Sequence, residues 1–152
     1  MALFLSKYEN KIDKKGRVSV PARFRSVLME KGFSTVVLLP TIDGDAITAC
    51  GMDVMLQMQE SMGAYDPYSA EQDSDMGALM TDSYELPIDG DGRIVVPLEL
   101  LEQVGITNRC VFAGRGRDFQ IWEPEAFDAN MEVMRARARV KKAQRSKNSR
   151  VV

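Results

Sequence analysis

Polar and apolar positions along this chain spell one pattern twice. Residues 8–21 read YENKIDKKGRVSVP and residues 84–97 read YELPIDGDGRIVVP, eight identities in fourteen positions at a constant offset of 76. Period-two alternation predicts a strand in each. Val18 and Val20 face one way and Arg17 and Ser19 the other, and Ile94 and Val96 repeat the apolar face. Pro21 and Pro97 suit the first turn of a helix, where a missing N–H costs nothing. In the first copy Phe24, Val27 and Leu28 then fall at i, i+3 and i+4, the spacing of a buried stripe. Arg23 and Arg25 lie about 100° to either side of Phe24, where they reach solvent.

Each copy continues in the same order. A glycine (Gly32, Gly105) precedes an apolar strand at 36–39 or 110–113, a second strand at 46–50 or 119–122, and a helix. In the first of these helices Met52, Met55, Met58 and Met62 recur at helical spacing, which marks packing residues rather than a cofactor site. In the second, Phe127, Met131, Met134 and Ala138 form the stripe, and like charges at i, i+4 disfavour helix beyond Arg139. The chain is a tandem duplication. Between the copies lies GAYDPYSAEQDSDMG, acidic and rich in small residues. The expected organisation is unit one at 5–52, a helix and acidic linker at 53–80, unit two at 81–126, and a C-terminal helix with a basic tail at 127–152.

The centre of each repeat is Asp-x-x-Gly-Arg. Asp13 and Asp89 are placed to accept backbone N–H bonds, and Gly16 and Gly92 to supply the positive φ that closes a tight hairpin turn. The DGDG of copy two also suggests a calcium loop. Arg93 at the next alternate ligand position, and no closing Glu, argue against it.

Composition narrows the chemistry. The 152 residues are 45% hydrophobic and 28% charged, which suits one ordinary domain or two half-sized repeated ones. With no histidine and two cysteines lacking a CxxC, zinc, imidazole and Ser-His-Asp chemistry are set aside. Cys50 and Cys110 read as reduced packing residues. Paired acids such as Asp43 and Asp45 flank a turn glycine with no nucleophile or phosphate loop nearby, so an enzyme is not expected. No cofactor, metal or membrane contact is expected either. The N-terminal MALFLSKYEN lacks a basic lead and a long apolar run, which suggests a cytoplasmic protein.

Charge is segregated. Residues 1–34 carry eight bases against three acids, 35–83 nine acids and no base, 84–134 four bases against ten acids, and 135–152 eight bases and no acid. Two basic poles on a chain of net charge −2 suggest separate contacts to a polyanion. At matched positions Lys15 becomes Asp91, Arg23 becomes Glu99 and Arg25 becomes Leu101. Copy one thus offers Lys14, Lys15, Arg17, Arg23 and Arg25, and copy two little beyond Arg93. Clustered cations favour phosphate binding through counterion release. The basic tail reads as sequence-independent phosphate attraction.

DKKGRVSVPARFR and DGDGRIVVPLELL, with FQIWEPEAF after the second, resemble the two halves of the MraZ family over about residues 2–127. The resemblance implies a β-rich α+β fold of two tandem AbrB-like swapped-hairpin units, each with short helices, packed as an intramolecular pseudo-dimer. It implies a ring-like homo-oligomer that binds repeated double-stranded DNA sites upstream of its own division and cell-wall operon and represses transcription, associated with the nucleoid. It also implies that the arginine of each Asp-x-x-Gly-Arg, here Arg17 and Arg93, contacts DNA. The alternative is an AbrB-like antitoxin or oligomeric scaffold whose main partner is another protein.

Overall fold

Each copy of the repeat folds through the same succession of elements, and the copies then exchange partners. In a computed structural model, which describes residues 2–62, 66 and 68–150, copy one runs β1 (Lys7–Lys11), β2 (Arg17–Ser19), α1 (Ala22–Glu30), β3 (Thr35–Pro40), β4 (Ile47–Cys50) and α2 (Met52–Ser61). After α3 (Ala70–Thr81), copy two runs β5 (Tyr84–Pro87), β6 (Arg93–Val95), α4 (Leu98–Gln103), β7 (Arg109–Gly114), β8 (Phe119–Trp122) and α5 (Pro124–Arg150).

The strands form a six-stranded antiparallel sheet, β1-β7-β8-β4-β3-β5, and a two-stranded ribbon, β2-β6. The outer strand of each half therefore comes from the other copy. Tyr8 lies opposite Phe112 in β1·β7, and its counterpart Tyr84 lies opposite Leu38 in β5·β3. A pseudo-two-fold axis passes through two cross-copy pairs, Thr48 with Gln120 and Val18 with Ile94. Within a copy, β1 and β2 are joined at the turn by the isolated bridge of Ile12 with Val18 and by Asn10, whose amide donates to the Ser19 carbonyl at 2.7 Å, so Asp-x-x-Gly closes a turn between strands whose ladders form elsewhere.

Alternation along the strands divides the sheet into two apolar faces. Leu38, Ile47, Phe112, Phe119 and Ile121 point toward α1, α4 and the ribbon, where Phe4 and Phe24 complete the main core. Phe24 meets Phe119 at 4.8 Å and Phe4 at 5.3 Å, an aromatic centre with burial worth about 1.5–3 kcal/mol per side chain. On the opposite face α2 covers Val37, Leu39 and Cys50 with Val54, Met55 and the partly buried Met52 and Met58. Phe127 of α5 covers Trp122, Val111 and Ala46. Met52, Met55 and Met58 thus pack, as their spacing predicts, while Met62 falls at the C-terminal cap of α2, outside this cluster. Burial pushes the Cys50 and Cys110 thiols up to about 12, and both are free.

Two helices depart from expectation. The segment read as an acidic linker holds α3, which buries none of its residues. Ser69 caps it, its hydroxyl accepting the Gln72 N–H at 3.4 Å, and Ser-x-x-Gln is a capping signal legible in the sequence. The second is α5, which runs on as helix through the basic segment to Arg150. Alanine, arginine, lysine and glutamine are all strong helix formers, and that propensity outweighs the like-charge repulsion. Its residues 132–149 are exposed, so it projects from the sheet. Among the described residues no helix is long and apolar enough to cross a membrane.

Candidate nucleic-acid interface

The two Asp-x-x-Gly-Arg turns sit on either side of the pseudo-two-fold axis, joined by the ribbon. In turn one the Asp13 carboxylate accepts the N–H groups of Lys15 (2.9 Å) and Arg17 (2.8 Å). In turn two Asp89 accepts those of Asp91 and Arg93, both at 2.9 Å. The Arg17 N–H holds the Asp13 carboxyl below its ordinary range and the Arg93 N–H does the same for Asp89, each opposed in part by desolvation. Gly16 adopts φ +89° and Gly92 φ +78°, a region that disfavours any Cβ. A Cβ on Gly16 would collide with the Val96 carbonyl, and one on Gly92 with the Arg25 guanidinium. Reciprocal bonds lock the turns across the axis: Val96 N–H to Gly16 O at 2.8 Å, and Val20 N–H to Gly92 O at 3.0 Å.

With Val18 and Ile94 buried, Arg17, Ser19, Arg93 and Val95 share the outward face of the ribbon. Arg17 and Arg93 are equivalent in backbone and differ in company. Arg93 is held by two carboxylates, Asp91 at 3.0 Å and Asp89 at 3.5 Å. Arg17 has Asp13 at 3.9 Å, and the place of Asp91 is taken by Lys15. Lys14 and Lys15 are exposed at the tip of turn one. Turn one is the cationic one.

The structure does not gather all the expected cations there. Arg25 is half-buried, donates its Nε to the Val20 carbonyl at 3.0 Å, and lies over Gly92, so copy one's helix delivers it to turn two. Arg23 is exposed on α1 beside the N-terminal segment, where it lines a depression with Leu3, Leu5 and Val27. Conversely Arg109 of copy two stands at the foot of turn one, paired with Glu9 of β1 at 2.8 Å through its Nε. Sequence reasoning missed it because Arg109 and Glu9 lie 100 residues apart. The available signal was the repeat itself, since pairing β1 with β7 brings the start of one beside the end of the other. Among the described residues no cluster of three or more His, Cys, Asp or Glu could hold a metal.

Comparison with known proteins adds a name to this geometry. Across 132 residues the chain is 39% identical to "Transcriptional regulator MraZ" of Rickettsia akari, an overlap of 87% of this chain and 89% of that one. The chain belongs to the MraZ family. The MraZ protein of Pelagibacter ubique, also named a transcriptional regulator, is 42% identical over 126 residues, 83% of this chain and 81% of its own. That of Rickettsia felis is 39% identical over 128 residues, 84% and 86% respectively. A family model described as "MraZ protein, putative antitoxin-like" matches residues 79–149, which are copy two and nearly all of α5. Membership in MraZ places this chain among proteins named for regulating transcription.

Proposed function

We propose that this MraZ-family chain is a sequence-specific DNA-binding regulator, a repressor of its own division and cell-wall operon that acts in the cytoplasm at the nucleoid. The observation that carries this reading is the ribbon. It presents Arg17 on a rigid outward face, free of a second carboxylate, beside the exposed Lys14 and Lys15. An arginine on a two-stranded β-ribbon is suited to a major groove, and its fork to the O6 and N7 of guanine. Lysines at the tip suit phosphates and fix register. Arg93 contributes from the far end of the same face. The units at 5–52 and 81–126 serve this ribbon jointly.

The regulator works as a homo-oligomer, ring-like in closure, on repeated promoter sites. Outer strands β1 and β5 leave sheet edges that a second copy can cover. Gel-shift titration with the DNA upstream of its own gene, beside scrambled DNA of equal length, tests the function. Equal affinity for the two would end the claim of specificity. Light scattering at micromolar protein tests the assembly, and a mass near 17 kDa would end that part.

The projecting basic half of α5 adds phosphate contacts. Deleting residues 135–152 is expected to lower affinity for both duplexes and to flatten the slope of log K against log salt by about 0.9 for each phosphate no longer neutralised. The operator-to-random ratio is expected to survive, and a changed mass with an unchanged slope would assign the helix to assembly instead. The second reading, an antitoxin or scaffold with a protein partner, draws on the exposed Leu3 (58%) and Leu5 (61%) beside α1. It would gain if Leu3→Ser with Leu5→Ser removed a partner while DNA binding stayed whole.

A further inference from the structure

An open depression of about 480 Å³ lies at the foot of turn one, between the ribbon and the paired ends of β1 and β7. Four cations line it, Lys11, Arg17, Arg93 and Arg109, against one carboxylate, Asp13, with Ser19 and Asn108 between them. The strand exchange builds it, because Lys11, Arg17 and Ser19 belong to copy one and the rest to copy two. Neither copy contains the set alone.

The same backbone exists across the pseudo-two-fold axis without the same chemistry. Lys11 pairs with Arg109 in β1·β7, and the equivalent pair in β5·β3 is Pro87 with Thr35. The Ile12 N–H bonds the Asn108 carbonyl at 3.0 Å, and the matching bond joins Ile88 to the Ser34 carbonyl, also at 3.0 Å. Lysine, arginine and asparagine on one side thus correspond to proline, threonine and serine on the other. Two strand ends of like backbone pairing differ in their side chains, and only one of them carries charge.

We infer that this depression is a phosphodiester notch that seats one backbone phosphate of the DNA held by turn one, with Lys11 and Arg109 as its phosphate ligands. The inference rests on the DNA-binding reading and adds the place where the sugar-phosphate chain is held. Arg109 is suited to it. Glu9 Oε2 takes its Nε at 2.8 Å and its Nη2 at 2.6 Å, which fixes the plane of the guanidinium. Arginine has five N–H donors, so Nη1 and the outer Nη2 proton stay available for an oxyanion. Lys11, directly opposite, supplies a mobile point charge. Glu9 positions Arg109 and at the same time repels the incoming phosphate.

The test uses the full chain with two duplexes, the DNA upstream of its own gene and a scrambled one, by anisotropy at several salt concentrations. Lys11→Gln with Arg109→Gln is expected to weaken both duplexes by the same factor, roughly three- to tenfold, since exposed ion pairs are individually modest. The salt slope is expected to flatten by about 0.9, one phosphate, with the specificity ratio unchanged. Glu9→Gln keeps an acceptor for Arg109 and removes the repelling charge, so it is expected to tighten both duplexes about two- to fivefold. That gain keeps the test decisive if the double variant melts early. Parental affinity and slope in the double variant, beside a lost operator preference in Arg17→Ala, would overturn the notch and leave the DNA reading standing. If Arg17→Ala is silent too, both fall. Inorganic phosphate that raises the melting temperature of the parent but not of the double variant, with DNA slopes unaltered, would assign the notch to free phosphate and overturn the backbone assignment.

Discussion

Turn one and turn two share a backbone and differ in what surrounds their arginines. Asp91 captures Arg93 where Lys15 leaves Arg17 to a single distant carboxylate. Each turn also borrows an arginine from the other copy, Arg109 for turn one and Arg25 for turn two. Arg25 is spent on a carbonyl and on covering Gly92, whereas Arg109 is oriented at the rim of an open depression. Duplication kept the architecture on both sides and concentrated the available charge on one. Reciprocal backbone bonds, Val96 to Gly16 and Val20 to Gly92, tie the two turns to each other.

The most direct way to break this comparison is to remove the two arginines in parallel. Arg17→Ala is expected to lower operator affinity roughly 5- to 150-fold for each base edge it reads, about 1–3 kcal/mol, and further where several subunits bind together. Arg93→Ala is expected to cost far less. Arg17→Ala should leave the melting temperature unchanged, and Arg93→Ala should lower it only slightly, through the loss of its pairs with Asp89 and Asp91. Equal losses in a side-by-side gel shift would make both turns readers.

Next in size are the glycines. Gly16→Ala forces a Cβ into the Val96 carbonyl at positive φ and is expected to destabilise the fold by about 1–3 kcal/mol in chemical denaturation. Gly92→Ala meets a side chain that can move aside, so its cost is expected to be smaller. The reverse order would mean that Arg25 is the more rigid neighbour.

A charge exchange then sharpens the contrast. Asp91→Lys is expected to free Arg93 and tighten DNA binding a few-fold, and Lys15→Asp to weaken it by a similar factor, since each is one exposed charge. The double exchange should shift reading from turn one to turn two, which Arg17→Ala on that background would reveal by losing its effect.

Acid gives the smallest difference. Both turn aspartates are held below the ordinary carboxyl range in the folded chain, so the stability they confer is present above that range and is lost as pH falls through their lowered pKa. To the shared backbone cause turn one adds the Lys15 charge and turn two the Arg93 side chain, so both turns are expected to loosen over the same range in amide exchange recorded between pH 4 and pH 2, and a clear separation would break the likeness of their backbones.

Local features were legible in the sequence because their causes are local. Asp-x-x-Gly sets its own hydrogen bonds within four residues, and Phe24, Val27 and Leu28 declare their stripe by spacing. The exchange of β1 and β5 came from the family resemblance, since alternation says which face a residue takes and not which strand lies beside it. Arg25 illustrates the gap. Helical geometry put it at the border of the buried stripe, and only the neighbouring copy determined whether that border met water or Gly92. The same holds for Arg109, an ordinary surface residue until β7 is placed against β1. The extent of α5 escapes the sequence for another reason, the balance of two opposed local terms.

The pairing of β1 with β7 also bears on how the protein is made. The two strands are separated by about 100 residues, and at ribosomal speeds of about 5–20 residues per second β1 emerges roughly 5–20 s before its partner. Copy one therefore waits, its sheet incomplete and its Phe4–Phe24 centre lacking Phe119. During that interval the nearest suitable β7 can belong to a finished chain or to a neighbour on the same message. The covalent link between the copies favours closure onto the chain's own second half once it appears, because a tethered partner is present at millimolar effective concentration. The connection through α3 thus acts first as a leash during synthesis, and lengthening it lowers that effective concentration and shifts the balance toward strands exchanged between chains.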